Sequence, residues 1–219
     1  TSQQPFDVTG IRPRYVATLD VPPYAAMQSF AVDPDTGEYY LTQTADPTVG
    51  NANDLHIRKY TRDGIQLDDV LLTDGGHGTQ LGIEKSAGQV YLWLWWAHPT
   101  TPGPVRWQWH PSSYKPVVTI TDAEVQALPD LEAAEETWFA LDPANGVVAT
   151  AHIDSGTQIL RRRTIADVIN GIDNILSEVQ DPGYYAAYGP WQGHATIDGY
   201  AYILYGPGGY TYDPDATPP

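Results

Sequence analysis

Short apolar runs alternate with turn-forming clusters along this chain, and the alternation itself repeats. Gln28-Ser29-Phe30-Ala31-Val32-Asp33 precedes Gly37-Glu38-Tyr39-Tyr40-Leu41, a small-apolar strand, a turn and a second strand. The pattern returns as Leu81-Gly82-Ile83-Glu84 before Gly88-Gln89-Val90-Tyr91-Leu92, as Phe139-Ala140-Leu141-Asp142 before Gly146-Val147-Val148, and as Ala195-Thr196-Ile197-Asp198 before Gly199-Tyr200-Ala201-Tyr202-Ile203. Its acidic markers Asp33, Glu84, Asp142 and Asp198 stand 51, 58 and 56 positions apart. Repetition at that period is the mark of a repeat architecture. A carboxylate at the strand end can accept a backbone N–H two residues on, and glycine supplies positive φ, so each marker reads as the cap of a tight turn.

Further strands follow the opening pair. In the first repeat Asp54–Tyr60 and Asp69–Thr73 flank a turn at Arg62-Asp63-Gly64. Four strands per repeat is the unit of a β-propeller blade, with a small apolar strand innermost. The expected fold is therefore all-β, a propeller of four recognisable blades over residues 1–212, with residues 213–219 as a proline-rich tail or linker. Tyr15–Val21 resembles an outer strand with no inner strands before it, and is expected to close the last blade. A two-sheet sandwich of similar strand count is the alternative. Two short helices are expected between blades: Asp122–Ala127, capped by Thr121 or Asp122, and Thr164–Ile169, ended by Asn170-Gly171.

Composition narrows the chemistry. Among 219 residues, 27 Asp and Glu outweigh 11 Lys and Arg, a formal net charge of −16 that argues against nucleic acid as a partner. No run approaches a membrane span; the longest, Val90–Ala97, has strand length. With no cysteine there is no disulfide, thiolate metal site or cysteine nucleophile. No nucleophile elbow, phosphate loop or His-Glu-x-x-His helix is present.

The 7 Trp and 15 Tyr are the positive signal. Trp93 and Trp95 share one face of a strand, and Trp107 and Trp109 share a face of the strand expected to pair with it through a turn at Pro99–Pro104. Broad rings with a polar tip suit the apolar face of a pyranose, and they equally suit the space between blades. Tyr184, Tyr185, Tyr188 and Trp191 form a second cluster on a loop, where binding residues concentrate. His77 and His194 hold matching places before two inner strands; they could bind a ligand or a metal at the axis, or hydrogen-bond between blades. No catalytic residue, metal or cofactor is assigned. The four repeat carboxylates recur too uniformly for catalysis, which needs carboxyl groups in contrasting environments. The only basic run, Arg161-Arg162-Arg163, could meet a phosphate, lie on a solvated edge, or contact another subunit.

The opening motifs carry a resemblance. Gln28-Ser29-Phe30-Ala31-Val32-Asp33, Gly75-Gly76-His77-Gly78-Thr79-Gln80-Leu81-Gly82-Ile83-Glu84 and Trp191-Gln192-Gly193-His194-Ala195-Thr196-Ile197-Asp198-Gly199-Tyr200 resemble the blade openings of the helveticin J-like propellers, a group that includes receptor-binding tail proteins of phages of Gram-positive bacteria. The resemblance runs from about Thr18 to Tyr205. It implies a non-catalytic, carbohydrate-binding module at a phage tail tip, in the virion, recognising a cell-wall glycan of a Gram-positive host. Other tail proteins would be further partners. A secreted bacteriocin-like protein and an envelope-glycan hydrolase or lyase are the alternatives. Members have five blades, the last opening with a Glu-Pro-Glu-Gly stretch that does not occur here. The chain is thus expected to be a fragment, to be completed by a partner chain, or to close with four blades. Because a polymer of phosphates would meet a net charge of −16, a neutral glycan is the expected ligand.

Overall fold

The computed structural model describes residues 19, 27–45, 51, 53–132, 137–184, 191–197 and 200–205. The expected closing strand Tyr15–Val21, apart from Leu19, lies outside these residues, as do Tyr185, Tyr188, Asp198 and the tail at 213–219.

Within each blade the strands follow chain order and pair antiparallel with their neighbours. The first blade is β1 (Met27–Val32), β2 (Tyr39–Thr44), β3 (Leu55–Tyr60) and β4 (Gln66–Leu72). The second is β5 (Gly82–Ser86), β6 (Gln89–Trp96) and β7 (Gly103–Gln108). A short strand β8 (Val117–Val118) then leaves this blade and runs parallel to β4, covering the outer edge of blade 1, before β9 (Val125–Ala127) returns to pair with β7. Covering an edge in this way removes a row of unpaired backbone groups. Blade 3 comprises β10 (Trp138–Asp142), β11 (Val147–Asp154), β12 (Thr157–Thr164), a helix α1 (Ile165–Ile169) and β13 (Ser177–Gln180). Blade 4 shows β14 (Trp191–Ile197) and β15 (Tyr200–Tyr205). The innermost strands touch in succession, β1 with β5, β5 with β10 and β10 with β14, as in a propeller.

The turn chemistry follows the repeat in part. Asp33 Oδ1 accepts the Asp35 N–H at 2.9 Å, and Asn145 donates its N–H to Asp142 Oδ1 at 3.3 Å. Glu84 departs from the pattern: it sits inside β5, opposite Tyr91, and the turn of that blade is the two-residue Ala87-Gly88 with φ of 50° and 78°. Two left-handed residues in succession form the hairpin turn that suits twisted strands, so no carboxylate cap is needed.

Two expected helices fare differently. Thr164 caps α1 by accepting the Asp167 N–H at 2.9 Å, but the helix lies within blade 3, between its third and fourth strands, and not between blades. Asp122–Ala127 is not helical. Asp122 instead accepts the Thr119 N–H at 2.7 Å in a turn, and Val125–Ala127 pairs with β7 as the outer strand of blade 2. Half-burial of Val125 in the blade seam outweighs the local helix signal.

Cores lie in the seams. Leu55, Ile57, Val70 and Leu72 of blade 1 pack on Ile83, Leu92, Leu94, Trp96, Val105, Trp107 and Trp109 of blade 2. Trp93, on the other face of β6, packs on Phe139, Val148 and Val168 of blade 3. Ala149, Ala151 and Leu160 then meet Ala201 and Ile203 of blade 4. The loop Thr73–Leu81 crosses from blade 1 to blade 2 under close constraint. Gly76 has φ 83°, and a Cβ there would stand 2.4 Å from Ala97 Cβ. Gly78 has φ 67°, and its carbonyl accepts from Thr42 Oγ1.

Replacing Gly76 by Ala is expected to cost about 1–3 kcal/mol, because left-handed strain adds to a clash with a methyl that cannot rotate away. Gly88→Ala, at φ 78° with open space around it, is expected to cost about 1 kcal/mol. Urea unfolding of the two variants measures the difference. Trp107→Ala is expected to lose about 3–5 kcal/mol, and Trp95→Ala, at a half-buried position, clearly less.

Candidate functional site

The tryptophans divide between structure and surface. Trp93 and Trp107 are 0% and 1% exposed and Trp109 is 8%, so none of the three can offer a ring face to a sugar in the folded state. Trp109 meets Tyr40 of blade 1 edge to face at 5.2 Å and Trp107 at 5.3 Å, while Trp93 meets Phe139 of blade 3 at 6.0 Å. Their assignment as ligand-binding residues is therefore corrected: blade 2 has a neighbour on each side, and its rings fill two seams. Trp95 alone of the four remains half-buried.

The described part of the tyrosine cluster is accessible. Tyr184 follows β13, is 50% exposed, and stands edge-on to Tyr205 at 5.8 Å. One carboxylate organises both: Asp181 Oδ1 accepts the Tyr184 N–H at 2.9 Å and the Tyr205 hydroxyl at 3.1 Å. Burial and the Asp181 carboxylate push the Tyr205 phenol up to about 12, so it remains a donor. Trp191 stands opposite Tyr205 in the β14–β15 register, which brings the start of the fourth repeat beside the same end of the blade. The cluster thus joins the outer strand of blade 3 to the inner hairpin of blade 4, a placement legible only once the sheets are assembled.

The two histidines at matching sequence positions have unlike surroundings. His77 is exposed between Gly76 and Gly78. His194 sits in the seam of blades 3 and 4 with Nε2 3.3 Å from the Ala149 carbonyl, an inter-blade contact, and burial pushes its imidazole down to about 4. Among the described residues, no three His, Asp or Glu side chains gather as a metal site.

The described carboxylates of the repeats are committed to structure. Asp33 is 2% exposed and takes Lys85 at 3.1 Å besides its turn bond. Glu84, 4% exposed, takes Arg106 through two nitrogens at 2.7 and 2.9 Å and the Trp93 indole at 2.7 Å. Arg106 in turn lies 3.3 Å over the Tyr91 ring.

The basic run is neither a free phosphate clamp nor a solvated edge. Arg161 and Arg163 share one face of β12, as alternation requires, and converge on the buried Glu132. Arg163 is fully buried, bonding Glu132 and, at 2.7 Å, Asp173. Arg161 bonds Glu132 at 2.7 Å and Glu178 at 2.8 Å. Burial alone would raise the Glu132 carboxyl, but hydrogen bonds from Thr150 and the two guanidiniums hold it below the ordinary range. The missed signal was the strand period, which pairs the first and third arginines. A cleft beside this network, lined by Pro104, Pro129, Phe139 and Val168, holds only about 10 Å³. That is room for about one water molecule, far below the roughly 300–1,000 Å³ of small-molecule pockets.

A pH dependence follows from His194. The unfolded chain protonates this imidazole below about 6.5, the folded chain only below about 4, so the unfolded state binds more protons in between. Stability is expected to fall as pH drops from 6.5 toward 4, and His194→Gln to flatten that slope in chemical denaturation at several pH values. His152, lowered by burial in the same sense, leaves a residual slope.

Comparison with known proteins agrees with the architecture. A Bacillus subtilis (strain 168) protein named for major teichoic acid biosynthesis (protein C) is 29% identical over 182 residues, 82% of this chain and 40% of the relative. The tail fiber of Staphylococcus aureus phage P68 superposes with a TM-score of 0.60 at 23% identity, over 80% of this chain and 33% of the fiber. The chain thus spans less than half the length of either. A model of the phage 5-bladed beta propeller receptor binding platform domain matches residues 26–213, nearly the whole chain, and this protein belongs to that family.

Proposed function

We propose that this propeller recognises a cell-wall glycan of a Gram-positive host from a phage tail tip, binding it without cleavage. The observation that carries the reading is the half-exposed Tyr184, held by Asp181 at the junction of blades 3 and 4, in a chain of the receptor-binding platform family. An exposed ring whose backbone is held by Asp181 and whose edge meets Tyr205 loses little freedom when a pyranose stacks on it. Of Trp93, Trp95, Trp107 and Trp109, Trp95 alone is not buried, while Tyr185 and the Trp191 side chain lie outside what the structure describes.

One point favours binding over hydrolysis. Glycoside cleavage needs two carboxyl groups flanking the bond, one acidic and one ionised. Asp33, Glu84 and Asp142 are instead buried in turn caps and ion pairs. The name of the Bacillus relative supports a wall polymer as the setting. The charge of −16 favours a neutral sugar unit of it over its phosphates.

In a sedimentation assay with purified Gram-positive walls the protein is expected to co-pellet while the supernatant gains no sugar. Tyr184→Ala is expected to weaken retention about tenfold, the loss of roughly 1.4 kcal/mol, with unfolding unchanged. Release of soluble glycan would replace binding by hydrolysis.

A further inference from the structure

The excursion that covers blade 1 does more than cover it. Between β7 and β8, residues 109–116 leave blade 2 beside Gln89 and are pinned on every side. Trp109 N–H reaches the Val90 carbonyl at 2.9 Å. Ser112 gives its N–H to both Asp68 oxygens, at 3.1 and 3.0 Å, and its hydroxyl bonds the same carboxylate. Tyr114 and Lys115 donate to the Pro111 carbonyl at 2.8 and 3.0 Å. Lys115 Nζ is held by Asp122 at 2.9 Å and Glu124 at 3.0 Å.

At the apex of this braced segment Tyr114 is 69% exposed, its ring 4.9 Å from that of His110 and tilted by 41°. Edge protection does not account for it. That task falls to Pro116, whose carbonyl accepts the Leu71 N–H, and to Val117–Val118 paired along β4. Neither is the ring a core residue, since two-thirds of it faces water.

We propose that Tyr114, with His110, is a second sugar-stacking platform, taking a neutral pyranosyl unit of the wall glycan. The inference rests on the glycan-binding reading and adds a contact separate from Tyr184. Chemistry at the apex selects for neutrality: Asp68 is committed to Ser112 and Lys115 to two carboxylates, which leaves the exposed hydroxyl of Ser113, the imidazole and the phenol to meet sugar hydroxyls. A rigid aromatic contributes contact area at small entropic cost, which is why such rings serve as anchors. The segment leaves blade 2 at the hairpin-turn end of β6, near Gln89, whereas Tyr205 ends the second strand of blade 4, so the two platforms lie at opposite ends of their blades.

The test uses the full chain, with Tyr114→Ala, Tyr114→Phe and Tyr184→Ala, against purified walls of Bacillus subtilis and Staphylococcus aureus before and after hydrofluoric acid removes phosphodiester polymers. Tyr114→Ala is expected to weaken retention about five- to tenfold at an unchanged unfolding midpoint, and Tyr114→Phe to keep most of it. If the unaltered chain binds and Tyr114→Ala binds equally, this inference fails and the Tyr184 reading stands. If the unaltered chain binds no wall, both fall. Loss of concentration-dependent self-association in Tyr114→Ala, with wall retention unchanged, would assign the platform to a protein partner and overturn the proposal.

Discussion

Burial on both faces of blade 2 is the constraint from which the rest follows. A sheet with one wet face can alternate apolar and polar residues, but β6 buries Leu92, Leu94 and Trp96 on one side and Trp93 on the other. Only a sheet with two neighbours meets that demand, and a ring of sheets provides it. Tight approach then dictates the connections. Gly76 and Gly78 take left-handed backbone where the chain crosses between blades, and Gly82 admits the Leu141 side chain of blade 3 where a Cβ would stand 2.2 Å from it.

The same constraint decides where recognition can occur. Seams claim the largest rings, so the side chains left for a ligand stand where the chain leaves the blades. Tyr184 and Tyr114 are both of this kind, and each is fixed by an acidic residue that accepts local backbone N–H groups: Asp181 in one case and Asp68, through Ser112, in the other. A carboxylate used as a splint is held ionised by the N–H groups it accepts. The buried hub of Glu132 with Arg161 and Arg163 ties the segment before blade 3 to its third strand. Removing one partner of such a hub would strand a charge and cost about 3–5 kcal/mol.

The blade repeat was legible because the Asp-to-Gly turn writes a local signature. Asp33 and Asp142 cap their turns by a bond to a residue two or three positions on, which needs no tertiary information. Glu84 shares their place in the pattern but not their role, since its side chain reaches Arg106 and Trp93 on the neighbouring strands. The tryptophans failed for a related reason. Their spacing correctly paired β6 with β7, yet which face meets a neighbour depends on how many neighbours a blade has. Val125–Ala127 likewise carries helix-like local chemistry and becomes a strand because β7 offers it an edge. The tyrosine platforms depend on loops whose position no periodicity encodes, and Tyr114 lacked even a sequence signal beyond its bracketing by Pro111 and Pro116.

The central claim is that sugars meet rings at the surface and never the seams. A structure of the protein determined with a soluble wall-glycan fragment tests it most directly. The account predicts an intact glycan with a pyranose ring stacked on Tyr184 or Tyr114 and the seams unchanged. Sugar lodged between blades against Trp93 or Trp107, or a cleaved product at the axis beside Asp33, Glu84 or Asp142, would contradict it.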